Sequence, residues 1–284
     1  MSDLDLIKEL REKTGAGFLD CKNALKENNN NIEESIDSLR KKGLAKASKK
    51  SSREAKEGAV GFFSNDKISI ILKINSETDF SAKSDTFLDF LDLIGKIALK
   101  QNDKSLNLEN FLNIKYNDKS VSDLLKEMIA KIGENLIIND LKIFSNKELN
   151  VNFYIHNPYR KNIGKIVSAI FFYSDTKNEE ITTFSKNICM HIAASKPEAM
   201  DIEQLSSTVI ESEKKIQQEM IQDSGKPSNV MEKILKGKMK KYYSEVTLLN
   251  QNFVIDPNKT IKEAINDFNS LNKFDLKSYA LISL

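Results

Sequence analysis

Apolar positions recur at three- and four-residue spacing through the first forty residues. Leu6, Ile7 and Leu10 mark one helix, Thr14-Gly15-Ala16-Gly17 breaks it, and Phe18, Cys21, Ala24 and Leu25 mark a second. Asn28 to Asn31 form a polar turn, and Ile32, Ile36 and Leu39 predict a third helix that stops at Gly43. Three short helices enclose little core, so this segment is expected to serve as a docking surface. From Gly58 the period falls to two. Val60, Phe62 and Phe63 precede a turn at Ser64-Asn65-Asp66-Lys67. Ile68, Ile70, Leu72 and Ile74 then alternate with Ser69, Ile71 and Lys73, which predicts a hairpin with one strongly buried face. A helical stripe of Phe87, Leu91, Ile94 and Ala98 follows. A second helix is predicted over about 120–133, ending at Gly133, and strand signals follow at 136–144.

The middle of the chain repeats this order. Leu149–His156 and Ile163–Tyr173 read as strands joined by a turn over Asn157–Asn162. A helix then carries Phe184, Ile188 and Ile192 up to Lys196-Pro197. Strand–strand–helix thus occurs twice, the pattern of a structural duplication, although the two sequences do not visibly match. Residues 203–248 differ. Two narrow apolar stripes, one with Leu205, Val209, Ile216 and Met220 and one from Val230 to Tyr242, flank the break Ser224-Gly225-Lys226-Pro227. They predict an antiparallel helical hairpin that projects and meets a partner, a second copy included. The remainder reads as a strand-like Phe253-Val254-Ile255, a helix near 260–269 and a weakly patterned end. The fold class is α+β.

Composition adjusts this picture modestly. A chain of 284 residues suits about two domains. Its net charge of +2 favours neither nucleic acid nor membrane as a bulk partner. No apolar run approaches the ~20 residues of a membrane span, and no secretory leader pattern opens the sequence. The cysteines, Cys21 and Cys189, lie far apart, which suits a reducing cytoplasm. Charge is nevertheless uneven: Arg40, Lys41, Lys42, Lys46, Lys49, Lys50 and Arg53 follow one another with no acid between them. This reads as an exposed linker or frayed helix. The alternative is an RNA or ribosome contact, for which the stacking aromatics are missing.

Residues that carry chemistry are sparse. His156 and His191 are the only histidines. Cys189 and His191 stand two apart on a predicted helix and so face different ways, which speaks against a metal site and for packing. Gly225-Lys226 resembles the end of a phosphate loop, but Met220 takes its first glycine position and Pro227 its hydroxyl position. Gly15-Ala16-Gly17 follows a helix and continues to Asp20. No cofactor, no bound metal and no nucleotide site of its own are therefore expected, and no nucleophile–base pair is marked. The most pointed feature is Asn75-Ser76-Glu77-Thr78-Asp79-Phe80, where a strand pattern stops and a large aromatic meets the next helix. Glu77 and Asp79 read either as a working carboxylate pair or as charges at a helix start, with Thr78 or Ser81 as its N-cap. Burial is the usual fate of a phenylalanine such as Phe80.

Five blocks together resemble the bacterial elongation factor Ts family, the nucleotide exchange factors for elongation factor Tu. They are Leu10–Gly17 with Asp20-Cys21-Lys22; Glu77–Phe80 with Ala82-Lys83; Lys131–Asn135; Met190–Pro197; and Gly237–Lys241 with Glu245-Val246. The resemblance implies a ubiquitin-associated-like three-helix bundle over 1–43, a basic linker over 44–57 and two strand–helix core subdomains over 58–146 and 147–262. It further implies an inserted antiparallel coiled-coil hairpin at about 198–236, the family's dimerisation module and so a candidate homodimer contact, and a C-terminal module over 263–284. It implies that the protein is no enzyme in its own right but binds elongation factor Tu·GDP in the cytoplasm. Thr78, Asp79, Phe80 and Ser81 would then dislodge the partner's Mg²⁺, and Phe18, Leu19 and His156 would contact the partner. The chain departs from the family in three places. Ser81 stands where the family usually has Val, the Asn157–Asn162 segment is longer, and the end from Phe274 to Tyr279 lacks the family's Arg-aromatic and Gly-Glu-Gly ending.

Overall fold

The computed structural model describes residues 3–222 and 227–284, without the side chains of 44, 46–49 and 222. The chain divides into two compact units, Met1–Ser145 with Asn157–Lys165 and Leu284, and Asn146–His156 with Ile166–Ser283. Helix and antiparallel sheet both contribute, as an α+β class requires.

In the first unit, helices α1 (Asp3–Thr14), α2 (Phe18–Glu27) and α3 (Ile32–Lys50) enclose Ile7, Leu10, Cys21, Ala24 and Leu25. Asn31 caps α3 by accepting a hydrogen bond from the Glu34 amide at 3.3 Å. The helix does not end at Gly43 as the sequence predicts. It runs on through Gly43 to Lys50, because the following Ala and Lys residues are good helix formers and α3 lies along a later helix at Ala130.

Strands β1 (Glu57–Ser64), β2 (Ile68–Ser76) and β5 (Leu136–Ser145) pair antiparallel, with β2 in the centre, and residues 163–164 pair on the outer side of β1. Between β2 and β5 come α4 (Asp79–Lys83), α5 (Asp85–Gln101), α6 (Leu108–Leu112), the small hairpin β3 (Lys115–Tyr116) and β4 (Lys119–Ser120), and α7 (Val121–Ile132). A single buried face is expected for β2, yet both faces are buried. Ser69 and Ile71 are as inaccessible as Ile70 and Leu72, and only Lys73 is partly exposed. A central strand covered on both sides reads as a continuous apolar run, which Ile70-Ile71-Leu72 is. Helix α5 lies on the sheet through Phe87, Leu91, Ile94 and Ala98. Phe87, Leu91 and Ile94, fully buried, each contribute about 1.5–3 kcal/mol, and the Ala98 methyl less. Gly95 sets the approach: a Cβ there would fall 2.2 Å from the Phe63 ring. Helix α7 starts on its Ser120 cap and ends as predicted at Gly133, whose φ of 87° is the left-handed conformation of a C-terminal cap.

In the second unit, β6 (Asn150–Arg160) pairs β7 (Ile163–Tyr173), and β10 (Asp275–Ser283) pairs β7 antiparallel. The tip of the β6–β7 hairpin counts with the first unit. A turn is predicted over Asn157–Asn162, but Asn157 to Arg160 continue the strand. Pro158 fits there because β6 pairs on one side only. Helix α8 (Glu179–Ser195) stops at Lys196 with φ 46°. Helices α9 (Ser207–Gln222) and α10 (Ser228–Val246) pack against each other, so the second helix extends beyond the 236 boundary expected for the insert. The expected break at Ser224-Gly225-Lys226 lies outside the described residues. Strands β8 (Asn252–Phe253) and β9 (Asp256–Thr260) and helix α11 (Ile261–Phe268) follow. The core here is aromatic. Phe184 stacks on Phe268 at 4.1 Å between ring centroids, Phe172 stacks on Phe274 at 4.6 Å, and Phe184 meets Phe253 and Phe274 edge-on.

Candidate protein-contact site

The turn between β2 and α5 is built by local capping. Thr78 leaves the strand with extended backbone and caps α4, its hydroxyl accepting from the Ser81 amide at 3.2 Å. Ser76 Oγ donates to the Thr78 carbonyl at 2.9 Å. Ser84 caps α5 by accepting from the Phe87 amide at 3.3 Å, and its hydroxyl donates to the Ser81 carbonyl at 2.8 Å. Thr78, and not Ser81, is therefore the N-cap. Backbone groups on either side of Phe80 are satisfied within the turn, and its side chain points outward.

Phe80 is 83% exposed. Burial is the ordinary expectation for this residue type, and Phe80 is the exception. Beside it, Asp79 accepts a hydrogen bond from Lys83 Nζ at 2.8 Å. That bond from Lys83 holds the Asp79 carboxyl below the usual carboxylate range, and the Lys83 ammonium is raised in turn. Asp79 is thus ionised at neutral pH and suited to accept hydrogen bonds, with no proton to deliver. Beneath the turn, the buried hydroxyl of Ser81 has no hydrogen-bond partner, and neither does the Tyr159 hydroxyl, whose titration burial pushes upward.

A second loop holds the turn from outside. Glu134, just after the Gly133 cap, accepts from the Thr78 amide at 3.0 Å and the Thr78 hydroxyl at 2.7 Å. Reciprocally, Glu77 accepts from the Asn135 amide at 2.6 Å. Asn135 is buried and donates to the Arg53 carbonyl at 2.7 Å, and the Lys50 ammonium donates to the Gly133 carbonyl. The Glu77 carboxylate is thus turned to Asn135, while the acid in the first turn of α4 is Asp79. Glu77 fastens one loop to another and pairs with Arg53 at 3.5 Å. Sequence reasoning missed Glu134 because its partner lies 56 positions away. The available signal was an acid directly after a helix-ending glycine.

Phe18 and Leu19, at the start of α2, are 46% and 68% exposed. They lie in the same unit as the turn, whereas His156, exposed on β6, belongs to the other unit. The Tyr154 hydroxyl lies 3.3 Å from His156 Nδ1. Cys189 and His191, weighed as metal ligands, are both fully buried. Cys189 Sγ donates to the Asn152 carbonyl. His191 Nδ1 accepts from the Val254 amide at 3.3 Å, which leaves its Nε2–H to donate to Gln251 Oε1 at 2.9 Å. Among the described residues no group of three His, Cys, Asp or Glu is placed to hold a metal ion. No helix among them is long and apolar enough to cross a membrane. From the basic segment, Arg40 pairs with Glu127 at 3.0 Å and Lys42 with Glu27.

An aromatic displayed on a turn fastened from two sides, next to an ionised carboxylate, is an arrangement that suits contact with another surface better than chemistry. Residues 77–283 match the family model described as elongation factor TS, so the match opens at this turn. The elongation factor Ts of Allorhizobium ampelinum is 40% identical over 262 residues, spanning 92% of this chain and 85% of that protein. Those of Rhizobium etli strain CIAT 652 and Rhizobium meliloti are 40% and 38% identical over the same coverage. The chain belongs to the elongation factor Ts family.

Proposed function

We propose that the protein is a guanine nucleotide exchange factor of translation elongation, acting in the cytoplasm on elongation factor Tu·GDP. The observation that carries this reading is the outward Phe80 on a fixed turn. Presenting it costs the factor nothing on binding, since the turn is already ordered. Inserted into the GTPase domain, the ring displaces the element behind that protein's Mg²⁺, while the Asp79 carboxylate competes for hydrogen bonds nearby. The GTPase holds GDP partly through that ion, so its contacts weaken and GDP leaves. Coupling is reciprocal: what lowers affinity for GDP also lets incoming nucleotide expel the factor.

The remaining assignments follow the same reading. Helices α1–α3 form the ubiquitin-associated-like module, and Phe18 and Leu19 give it an apolar contact for the GTPase domain. His156 belongs to the second partner surface. Helices α9 and α10 form the coiled-coil module, and the exposed Val209, Ile216 and Met220 make it a candidate homodimer contact. For the RNA-binding alternative over residues 40–53, Arg40, Lys42 and Arg53 pair with acids of this chain but stay about half exposed, and such surface pairs are weak.

Stopped-flow release of a fluorescent GDP from elongation factor Tu tests the reading. A central aromatic anchor is worth about 2–4 kcal/mol, so Phe80→Ala slows release roughly 30- to 700-fold. Unchanged release in this variant would remove Phe80 from the mechanism.

A further inference from the structure

The turn that carries Asp79 and Phe80 is capped locally by Thr78 and Ser84, but the helix it opens is short. Helix α4 is only five residues long, and the Ser81 hydroxyl beneath it is unpaired. The loop after α7 adds a hold from outside. The Glu134 carboxylate receives both the amide and the hydroxyl of Thr78, a two-point grip that sets the position of the N-cap. The Glu77 carboxylate returns the same kind of bond to the Asn135 amide. Two adjacent loops thus exchange carboxylate-to-amide hydrogen bonds. Asn135 and Gly133 extend the connection to the Arg53 carbonyl and the Lys50 ammonium at the end of α3.

We propose that Glu134 is the positioning residue of the exchange site: it fixes the Thr78 cap and so aims Phe80. This inference rests on the exchange reading above. Glu134 need not touch the partner. Without its grip, the Thr78 amide loses its acceptor and the Thr78 hydroxyl keeps only the bond it accepts from Ser81, while the Thr78 carbonyl still accepts from Ser76 Oγ and the Ala82 amide. The loosened cap then samples orientations in which Phe80 misses its target. The GTPase still binds through the other surfaces. The loss therefore falls on the maximal rate of GDP release more than on the concentration of factor that half-saturates it.

The test uses the full-length factor with elongation factor Tu loaded with fluorescent GDP, in wild type, Glu134→Ala, Glu134→Gln and Phe80→Ala. Glu134→Ala is expected to lower the saturating release rate about tenfold and to move half-saturation by less than about threefold. Glu134→Gln keeps an oxygen for the Thr78 amide and can donate its NH₂ to the Thr78 hydroxyl, so it restores the rate to within about threefold of wild type. In the free factor, deuterium uptake over residues 76–84 rises in Glu134→Ala and not in Glu134→Gln. If Phe80→Ala is impaired while Glu134→Ala releases GDP at the wild-type rate, the positioning role alone is overturned. A glutamine variant as slow as the alanine variant also overturns it, since charge and not geometry would then be at work. If wild type does not accelerate release, the exchange reading itself falls, and the deuterium uptake still reports whether Glu134 holds the turn.

Discussion

Phenylalanine meets two opposite fates in this protein. In the second unit, Phe172, Phe184, Phe253, Phe268 and Phe274 gather into one stacked and edge-on cluster. In the first, Phe80 stands in solvent while Phe87, seven positions later, is fully buried. Residue type does not decide between these outcomes. The backbone does: Thr78, Ser81 and Ser84 spend their hydrogen bonds on a turn whose geometry leaves Phe80 outside, whereas β7, α8 and α11 direct their rings towards one another. A core aromatic is held by its ring, and the displayed one by everything except its ring.

This contrast can be broken by experiment. Phe274→Ala should cost about 3–5 kcal/mol, seen as a large fall in the urea midpoint, because it opens a cavity and removes three ring contacts. Ser84→Ala removes the α5 cap and should cost about 1 kcal/mol by the same measure. Ser81→Ala has the opposite sign. Deleting a buried hydroxyl without a partner should raise stability by about 1 kcal/mol. A smaller effect belongs to pH. Burial depresses the His191 pKa below its ordinary value of 6.5, so the unfolded chain binds the proton more readily than the folded one. The stabilisation is complete above that value and is lost as pH falls below it. The urea midpoint should decline between about pH 7.5 and 5.5, and the slope should flatten in His191→Gln. Smallest of all, Phe80→Ala should leave stability within about 0.5 kcal/mol of wild type. A loss resembling that of Phe274→Ala would show that Phe80 is part of the core after all.

Periodicity disclosed most of the elements. The β1–β2 hairpin, the α5 stripe, the Gly133 stop and the paired helices α9 and α10 were all legible, because each is written in neighbours three, four or two positions apart. Features that depend on distant partners were not. The passage of α3 through Gly43 depends on the helix it lies against. The inward side of Ile71 depends on β2 being central. The strand at Asp275–Ser283 is half-buried in patches, so its alternation is faint until β7 is seen beside it. The site divided along the same line. The residues of the turn could be picked out, and the family resemblance pointed to Phe80 against the ordinary expectation for an aromatic. Glu134 stood inside the Lys131–Asn135 block and just after the Gly133 stop, but nothing in its own neighbourhood announces Thr78 as its partner.

The pairing of β10 with β7 has a consequence during synthesis on the ribosome. Asp275 lies opposite Tyr173, so about a hundred residues must be added before the flank of β7 is covered. At ~5–20 residues per second that interval lasts ~5–20 s. Throughout it, a strand bearing Ile170, Phe171 and Phe172 offers unpaired backbone along one edge, the kind of surface on which nascent chains aggregate. The first unit has its strands by residue 165 and faces no such wait. The second unit is therefore the part of the newborn chain with the greater call on chaperones.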